Sequence, residues 1–233
     1  MQSRPAEWWM GAAFLANLAL AAVILASRGA DAHGTETALA ATARVAFLWF
    51  WAAYAGGALA SLFGAAFLPL KQHGREFGLA FAAALSVHLG LVGWLCFIGA
   101  TPARGVFVFF GTAATFTFLL AFFSLRDLHK LLGLKGWQLL RIVGMNFILV
   151  GFLKDFLRNP SLGGTRHLIE YLPFAVMAIM APLLRIVAWS RRRHLPNWVN
   201  PESQHFYKAE ELGSPVGLSG RQPHQPGLGA PRT

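Results

Sequence analysis

His88 is the residue whose chemical type and position best suit a functional role. It lies inside the apolar segment REFGLAFAAALSVHLGLVGWL (75–95), which is long enough to cross a bilayer. A helix rises about 1.5 Å per residue, so His88 would lie roughly 15 Å beyond Gly78, near the middle of the hydrocarbon core. A neutral imidazole at that depth would ligate a metal or haem, or handle protons. The alternative is a structural histidine, hydrogen-bonded across a helix interface.

Other chemistries find little support in the chain. Cys96 is the one cysteine, which excludes an intramolecular disulfide and a thiolate metal cluster. The net charge is +10, but the basic residues lie between and after the apolar segments, where they act as topology signals rather than as a nucleic-acid surface. No GxGxxG follows a strand pattern and no Walker loop occurs, so a flavin or nicotinamide domain is not expected.

The elements that would position His88 are membrane helices. Apolar residues make up 55% of the chain and charged residues 13%, which predicts an all-α integral membrane protein. The domain over residues 1–189 is predicted to be a bundle of six transmembrane helices, and residues 190–233 to be a basic and then disordered tail. The predicted spans are 8–26, 45–70, 78–98, 106–124, 137–153 and 171–189. A cleaved signal peptide is the alternative for the first span.

Small residues on the second span repeat every four positions in two rows. The rows are Ala52, Gly56, Ala60, Gly64 and Ala53, Gly57, Ser61, Ala65. Such rows allow helix backbones to approach closely, so this helix is expected to pack tightly against a neighbour.

The distribution of Lys and Arg predicts that both termini are cytoplasmic. Under the positive-inside rule, the side richer in these residues faces the cytoplasm. That side would have eleven of them, against six on the other. The eleven are Arg4, Lys71, Arg75, Arg126, Lys130, Lys135, Arg141, Arg185 and Arg191 to Arg193; the six are Arg28, Arg44, Arg104, Lys154, Arg158 and Arg166. A five-span protein with a cleaved first segment would keep the C-terminus inside.

The segment around His88 also resembles a known family. Its pattern RxxGLAFxxAxxxH, from Arg75 to His88, is similar to the third helix of the ferric reductase-like transmembrane domain family. Within that family the likeness is strongest to the haem-binding membrane subunits of bacterial periplasmic methionine sulfoxide reductase systems. The segment 104–124, which ends in LLAFFS, resembles the fourth helix, and LGLKGWQLL (132–140) resembles the segment that introduces the fifth.

This resemblance implies a b-type haem between the third and fifth helices, with His88 as one axial ligand of the haem iron. The histidines that the family has on the fifth helix are replaced here by Arg141 and Lys154. Met145, roughly 12 Å beyond Trp137, is a candidate for the second ligand because His/Met is a known haem pairing. Lys154 is a weaker candidate that would more readily snorkel to the outer face. Arg141 would snorkel, or bind a haem propionate or an acidic lipid.

The resemblance implies two alternative functions. The first is an electron-transfer subunit in the bacterial inner membrane, which would pass electrons from a quinol or a soluble cytoplasmic partner toward a periplasmic acceptor, without catalytic residues of its own. The second is a divergent, haem-free scaffold or partner-binding subunit of the same fold. The remaining histidines considered, His33, His73, His129 and His167, are expected to be solvated surface groups.

Overall fold

The computed structural model describes residues 4–125, 128–158 and 164–194, and the regular structure in these ranges is entirely helical. The described residues up to Ser190 belong to one compact unit. The six long helices are α1 (Arg4–Arg28), α2 (Ala32–Phe63), α4 (Gly74–Phe97), α5 (Arg104–Leu125), α6 (Gly133–Arg158) and α7 (Gly164–His194). Between α2 and α4 lie a short 3-10 helix (Gly64–Phe67) and α3 (Leu68–Gln72), and a second short 3-10 helix covers Leu128–Leu132.

The six long helices alternate in direction along the chain. α1 packs against α2 and α4 through Trp9, whose ring meets the edges of Trp49 and Phe77 at centroid distances of 5.9 and 5.5 Å. α5 packs against α6, where a Cβ on Gly144 would meet the Leu120 side chain at 3.0 Å. α7 returns beside α2, where Trp51 Nε1 donates to the Met177 carbonyl at 2.9 Å.

α2 begins earlier and ends earlier than the predicted span 45–70. It starts at Ala32 because Asp31 caps it, accepting a hydrogen bond from the Gly34 N–H at 2.8 Å. At its other end Gly64 takes φ +78°, a backbone conformation that favours glycine, and the chain bends away. The polar segment after α1 is therefore largely helical.

The small-residue rows of α2 have unequal roles. Gly56 is approached by Leu70 of α3, whose carbonyl oxygen would lie 2.9 Å from a Cβ at that position. A Cβ on Gly57, in the other row, would have nothing within 4 Å. The close approach occurs to the segment that follows α2 rather than to another long helix.

Aromatic side chains form the centre of the bundle. Phe47 lies at 0% exposure between α6 and α7, with ring centroids 5.0 Å from Phe152, 5.0 Å from Phe156 and 6.1 Å from Phe174. Edge-to-face pairs of this kind add about 0.5–1.5 kcal/mol beyond the apolar area that they bury. The same rings join α2, α6 and α7 into one core.

Five segments among the described residues are long and apolar enough to cross a membrane. They are Ala6–Arg28, Ala32–Gln72, Gly74–Phe97, Arg104–Leu125 and Glu170–Arg191. α6 is not among them; it carries Lys135, Arg141, Lys154 and Asp155. Large apolar side chains such as Trp8 (78% exposed) and Phe97 (79% exposed) face outward, as in a protein surrounded by lipid. The chain is that of a multi-pass, all-helical membrane protein.

The predicted tail, residues 190–233, lies almost entirely outside the described residues, which end at His194. Pro173 and Pro182, which lie in the predicted sixth span, are both inside α7, and this helix runs from Gly164 to His194 without interruption.

Candidate functional site

His88 lies on the side of α4 that packs against α2. Its Nδ1 is 3.2 Å from Oγ1 of Thr42, and the backbone of Leu39 also hydrogen-bonds the imidazole. Thr42 is fully buried and His88 is partly buried. The imidazole therefore joins α4 to α2 by hydrogen bonds across a helix interface.

The hydroxyl of Thr42 has three possible acceptors. It has one proton to give, and the carbonyls of Ala38 and Leu39 lie at 2.8 and 3.1 Å and Nδ1 of His88 at 3.2 Å. When the hydroxyl donates to a carbonyl, Nδ1–H of His88 donates to the Thr42 oxygen; when it donates to Nδ1, the proton of the neutral imidazole is on Nε2. With either tautomer the hydrogen bond joins α4 to α2.

Asn17 of α1 lies next to this pair. Its side chain is 0% exposed, and its Nδ2 donates to the Ala84 carbonyl at 2.9 Å, one turn before His88 on α4. A longer contact of 3.5 Å reaches the carbonyl of Thr42. Asn17 Oδ1 is buried without a hydrogen-bond partner among the described residues. Asn17, Thr42 and His88, here called the polar cluster, join α1, α2 and α4.

The polar cluster is built from neutral hydrogen-bonding groups. It contains no carboxylate and no thiol, and the described part of the chain has no group of three or more His, Cys, Asp or Glu side chains that could hold a metal ion. What the cluster offers is an imidazole and an unused acceptor on the Asn17 amide. A water molecule could hydrogen-bond to both.

The structure does not bring Met145 to His88. His88 meets α2 at Thr42, whereas Asn146, the neighbour of Met145, meets α2 at Tyr54, which donates to Asn146 Oδ1 at 2.7 Å. The twelve residues from Thr42 to Tyr54 span about 18 Å of helix. An axial pair must lie on opposite faces of one iron atom, and the two side chains are much too far apart for this.

The reason for the separation is the relative height of α4 and α6. Phe81 of α4 meets Phe152 of α6 at a centroid distance of 6.0 Å. Phe81 lies about 10 Å from the start of its helix at Gly74, but Phe152 lies about 28 Å from the start of α6 at Gly133. Equal distances from the helix starts therefore do not correspond to equal depths.

Aromatic rings lie between α4 and α6 at the level of Phe81. Phe81 packs on Phe50 at 5.3 Å and on Phe152 at 6.0 Å, and Phe50 packs on Phe152 at 5.5 Å. Phe50 is 1% exposed and Phe81 4%. A haem between these helices would have to displace this packing, and His88 faces α2 rather than α6. The described residues do not fit a haem bound in the manner of the ferric reductase-like family.

Arg141 and Lys154, which stand where that family has histidines, are about 20 Å apart along α6, and their contacts are to helices other than α4. Lys154 is exposed, and its Nζ lies 4.3 Å from the centroid of the Phe109 ring on α5, a cation–π contact. Arg141 is exposed near the other end of α6, close to Arg185 of α7. Neither side chain approaches the polar cluster.

Among the described side chains, His33 and His73 do not complete a ligand pair with His88. His33 is exposed near the start of α2, about 14 Å along the helix from Thr42. His73 precedes α4 and its Nδ1 is 3.0 Å from the Pro69 carbonyl. The side chains of His129 and His167 are outside the described part of the structure.

Asn17 and Thr42 were not singled out from the sequence, although both belong to the site. The signal for Asn17 was available, since it is the one strongly polar residue within the apolar segment WWMGAAFLANLALAAVILA (8–26). Thr42 gives no such signal because it lies in the segment TETALAATAR (35–44), between the first and second predicted spans.

No protein-family model, curated protein or solved structure matches this chain. The resemblance to the ferric reductase-like family accordingly depends on the motif residues around His88, and the function is argued from the geometry.

Proposed function

We propose that this protein is a haem-free scaffold or partner-binding subunit of the bacterial inner membrane, with a six-helix bundle related to the ferric reductase-like transmembrane domains. In this proposal His88 is a structural residue that links α4 to α2. The protein performs no reaction by itself, and its role is to hold membrane helices in a fixed arrangement for a partner.

The observation that carries the proposal is the combination of two contacts. One is the His88–Thr42 hydrogen bond, and the other is the aromatic packing of Phe81 on Phe152 between α4 and α6. An intramembrane histidine needs a partner for its polar atoms, and Thr42 supplies one at 3.2 Å. The phenylalanine packing between α4 and α6 supports a bundle whose stability does not depend on a cofactor.

The proposal includes a topology with six spans and both termini in the cytoplasm. α6 alternates with its neighbours in direction and shares the aromatic core through Phe152 and Phe156, which supports a sixth crossing. Reporter fusions after residues 72, 130 and 194 should be active on the cytoplasmic side, and fusions after residues 30 and 101 on the periplasmic side. Periplasmic activity after residue 194 would contradict the six-span topology.

The second candidate is the b-haem electron-transfer subunit, with a quinol or a soluble cytoplasmic protein as donor. The specific observation in its favour is the contact between His88 Nδ1 and Thr42, because hydrogen bonds to the remote nitrogen commonly orient ligating histidines. Bound haem would supply one-electron transfer; the second axial ligand would have to come from outside the described residues.

A haemin titration separates the two candidates. Wild-type protein and the His88→Leu variant, both purified in detergent, are titrated with haemin while the Soret region is recorded. The proposal predicts that the Soret absorbance changes weakly and without saturation, to the same extent in the wild type and in His88→Leu. Saturation at one equivalent in the wild type, lost in His88→Leu, would establish the electron-transfer candidate instead.

A further inference from the structure

Arg185 of α7 is held in place by Tyr54 of α2. Its guanidinium carbon lies 4.5 Å from the centroid of the Tyr54 ring. The Tyr54 hydroxyl donates to Asn146 Oδ1 at 2.7 Å, and Asn146 Nδ2 donates to the Ile142 carbonyl at 2.8 Å. The tyrosine is thus fixed by α6, and the guanidinium lies over its ring. The N–H groups of Arg185 remain available around its edge.

Arg141 brings a second positive charge to the neighbouring helix. It lies five residues before Asn146 on α6, about 7.5 Å along the helix, and its charge and that of Arg185 repel each other. Among the described residues, neither guanidinium has a carboxylate within salt-bridge distance or a hydrogen bond. Two like charges held together without a counterion are unfavourable in a bundle surrounded by lipid.

A third arginine, Arg44, has a carboxylate partner within the bundle. Arg44 of α2 makes a salt bridge with Glu170 at 3.3 Å and lies 4.5 Å from the centroid of the Tyr171 ring. Arg185 has the same kind of aromatic support but no such carboxylate in the described ranges. A counterion for Arg141 and Arg185 would therefore come from outside these ranges.

The pair lies near one end of the bundle and beside lipid-exposed side chains. Arg141 is about 12 Å from the start of α6, and Arg185 about 14 Å from the end of α7. Leu139, Ile142 and Ile186 nearby are 64%, 52% and 60% exposed. Apolar groups and a pair of cations thus share one surface, which is the pattern that an acyl chain and a charged headgroup would require.

We propose that Arg141 and Arg185 bind the phosphate of an anionic phospholipid, whose acyl chains lie along the exposed apolar side chains of α6 and α7. Two guanidinium forks present several N–H donors, and arginine binds phosphate oxygens bidentately. The inference rests on the proposed topology, which places this end of α6 and α7 at the cytoplasmic leaflet, where anionic lipids concentrate.

The test compares thermal stability in two lipid environments. Wild-type protein and the Arg141→Gln/Arg185→Gln variant are reconstituted in phosphatidylcholine nanodiscs, with and without phosphatidylglycerol. Without phosphatidylglycerol, the variant should melt at the same temperature as the wild type or higher, because the repulsion is gone. With phosphatidylglycerol, the melting temperature of the wild type should rise more than that of the variant.

Lipid retention gives the second measurement. Native mass spectrometry of the full chain should find phosphatidylglycerol bound to the wild type, with an affinity at least about tenfold higher than to the double variant, since hydrogen bonds to charged groups are strong. Lys154→Gln is the matched control, because it removes a charge from the far end of α6. This variant should retain the lipid as the wild type does.

Other outcomes are equally informative. Displacement of phosphatidylglycerol by inorganic phosphate, with the same dependence on the arginines, would support the anion site but assign it to a free phosphate. Equal retention in wild type and double variant would overturn the site. The reporter fusion after residue 194 tests the topology separately. Cytoplasmic activity of this fusion together with equal lipid retention would refute the arginine site and leave the six-span topology standing.

Discussion

The hydrogen bond between Thr42 and His88 can be tested by removing only the hydroxyl. Thr42→Val keeps the shape of the side chain and deletes the group that the imidazole contacts at 3.2 Å. Thr117→Val is a matched control on α5. Both threonines are buried, at 0% and 3% exposure, and both donate to the carbonyl four residues earlier, at 2.8 and 3.0 Å. They differ in that Thr42 also has an interhelical partner.

The expected cost follows from that difference. The intrahelical bond is lost in both variants and cancels in the comparison. What remains for Thr42→Val is one interhelical hydrogen bond inside a membrane bundle, worth about 0.6 kcal/mol on average and up to about 1.7. The imidazole keeps the backbone of Leu39 as its other partner, which places the estimate within that range and below its upper end. Thr42→Val should therefore cost about 1 kcal/mol more than Thr117→Val, roughly a fivefold change in the folding equilibrium.

A double-mutant cycle with His88→Leu assigns the cost to the pair. Unfolding by SDS in mixed micelles, followed by the fluorescence of the 8 tryptophans, gives the free energy of each variant. The structure predicts a coupling of about 1 kcal/mol between Thr42→Val and His88→Leu, and none between Thr117→Val and His88→Leu. Equal costs for the two threonine variants, with additive double mutants, would refute the interhelical bond.

Four further substitutions test the packing of the bundle by the same unfolding assay. Gly56→Ala should destabilise by about 1–3 kcal/mol, because its Cβ would lie 2.9 Å from the Leu70 carbonyl oxygen, whereas Gly57→Ala should be neutral or better; equal effects would contradict the close approach. Tyr54→Phe should cost about 0.6–1.7 kcal/mol by removing its bond to α6, and no loss would mean that this bond is absent. Asn17→Leu should cost less than about 1 kcal/mol, because the loss of its bond to the Ala84 carbonyl is offset by the removal of a buried acceptor without a partner among the described residues; a larger loss would show that the amide oxygen has a donor.

The helical, membrane-embedded character of the chain could be predicted from the sequence because it depends on composition and on the length of apolar segments. The boundaries of α2 were less predictable. The predicted spans leave residues 27–44 as a connection between two helices. Asp31 is instead the cap of α2, and a cap of this type can precede a helix of any polarity. The bend after Phe63 also escaped prediction, since the apolar segment continues unchanged through Leu70.

The depth of His88 in its helix could be estimated from sequence, but its partner could not. Residue spacing gives the height of a side chain within one helix, and says nothing of how far that helix is shifted against its neighbours. α4 and α6 are shifted so that Phe81 meets Phe152, which separates Met145 from His88. Thr42 became the partner through the packing of α2 on α4, a long-range contact that no local pattern encodes.

The most direct test of the proposed function is an absorption spectrum of the protein purified from cells supplied with haem, recorded before and after addition of dithionite. The haem-free scaffold predicts a well-folded protein in full yield without a stoichiometric Soret band, and an identical spectrum for His88→Leu. A Soret band at one haem per chain, with reduced α and β bands that disappear in His88→Leu, would contradict the account and establish a b-type cytochrome.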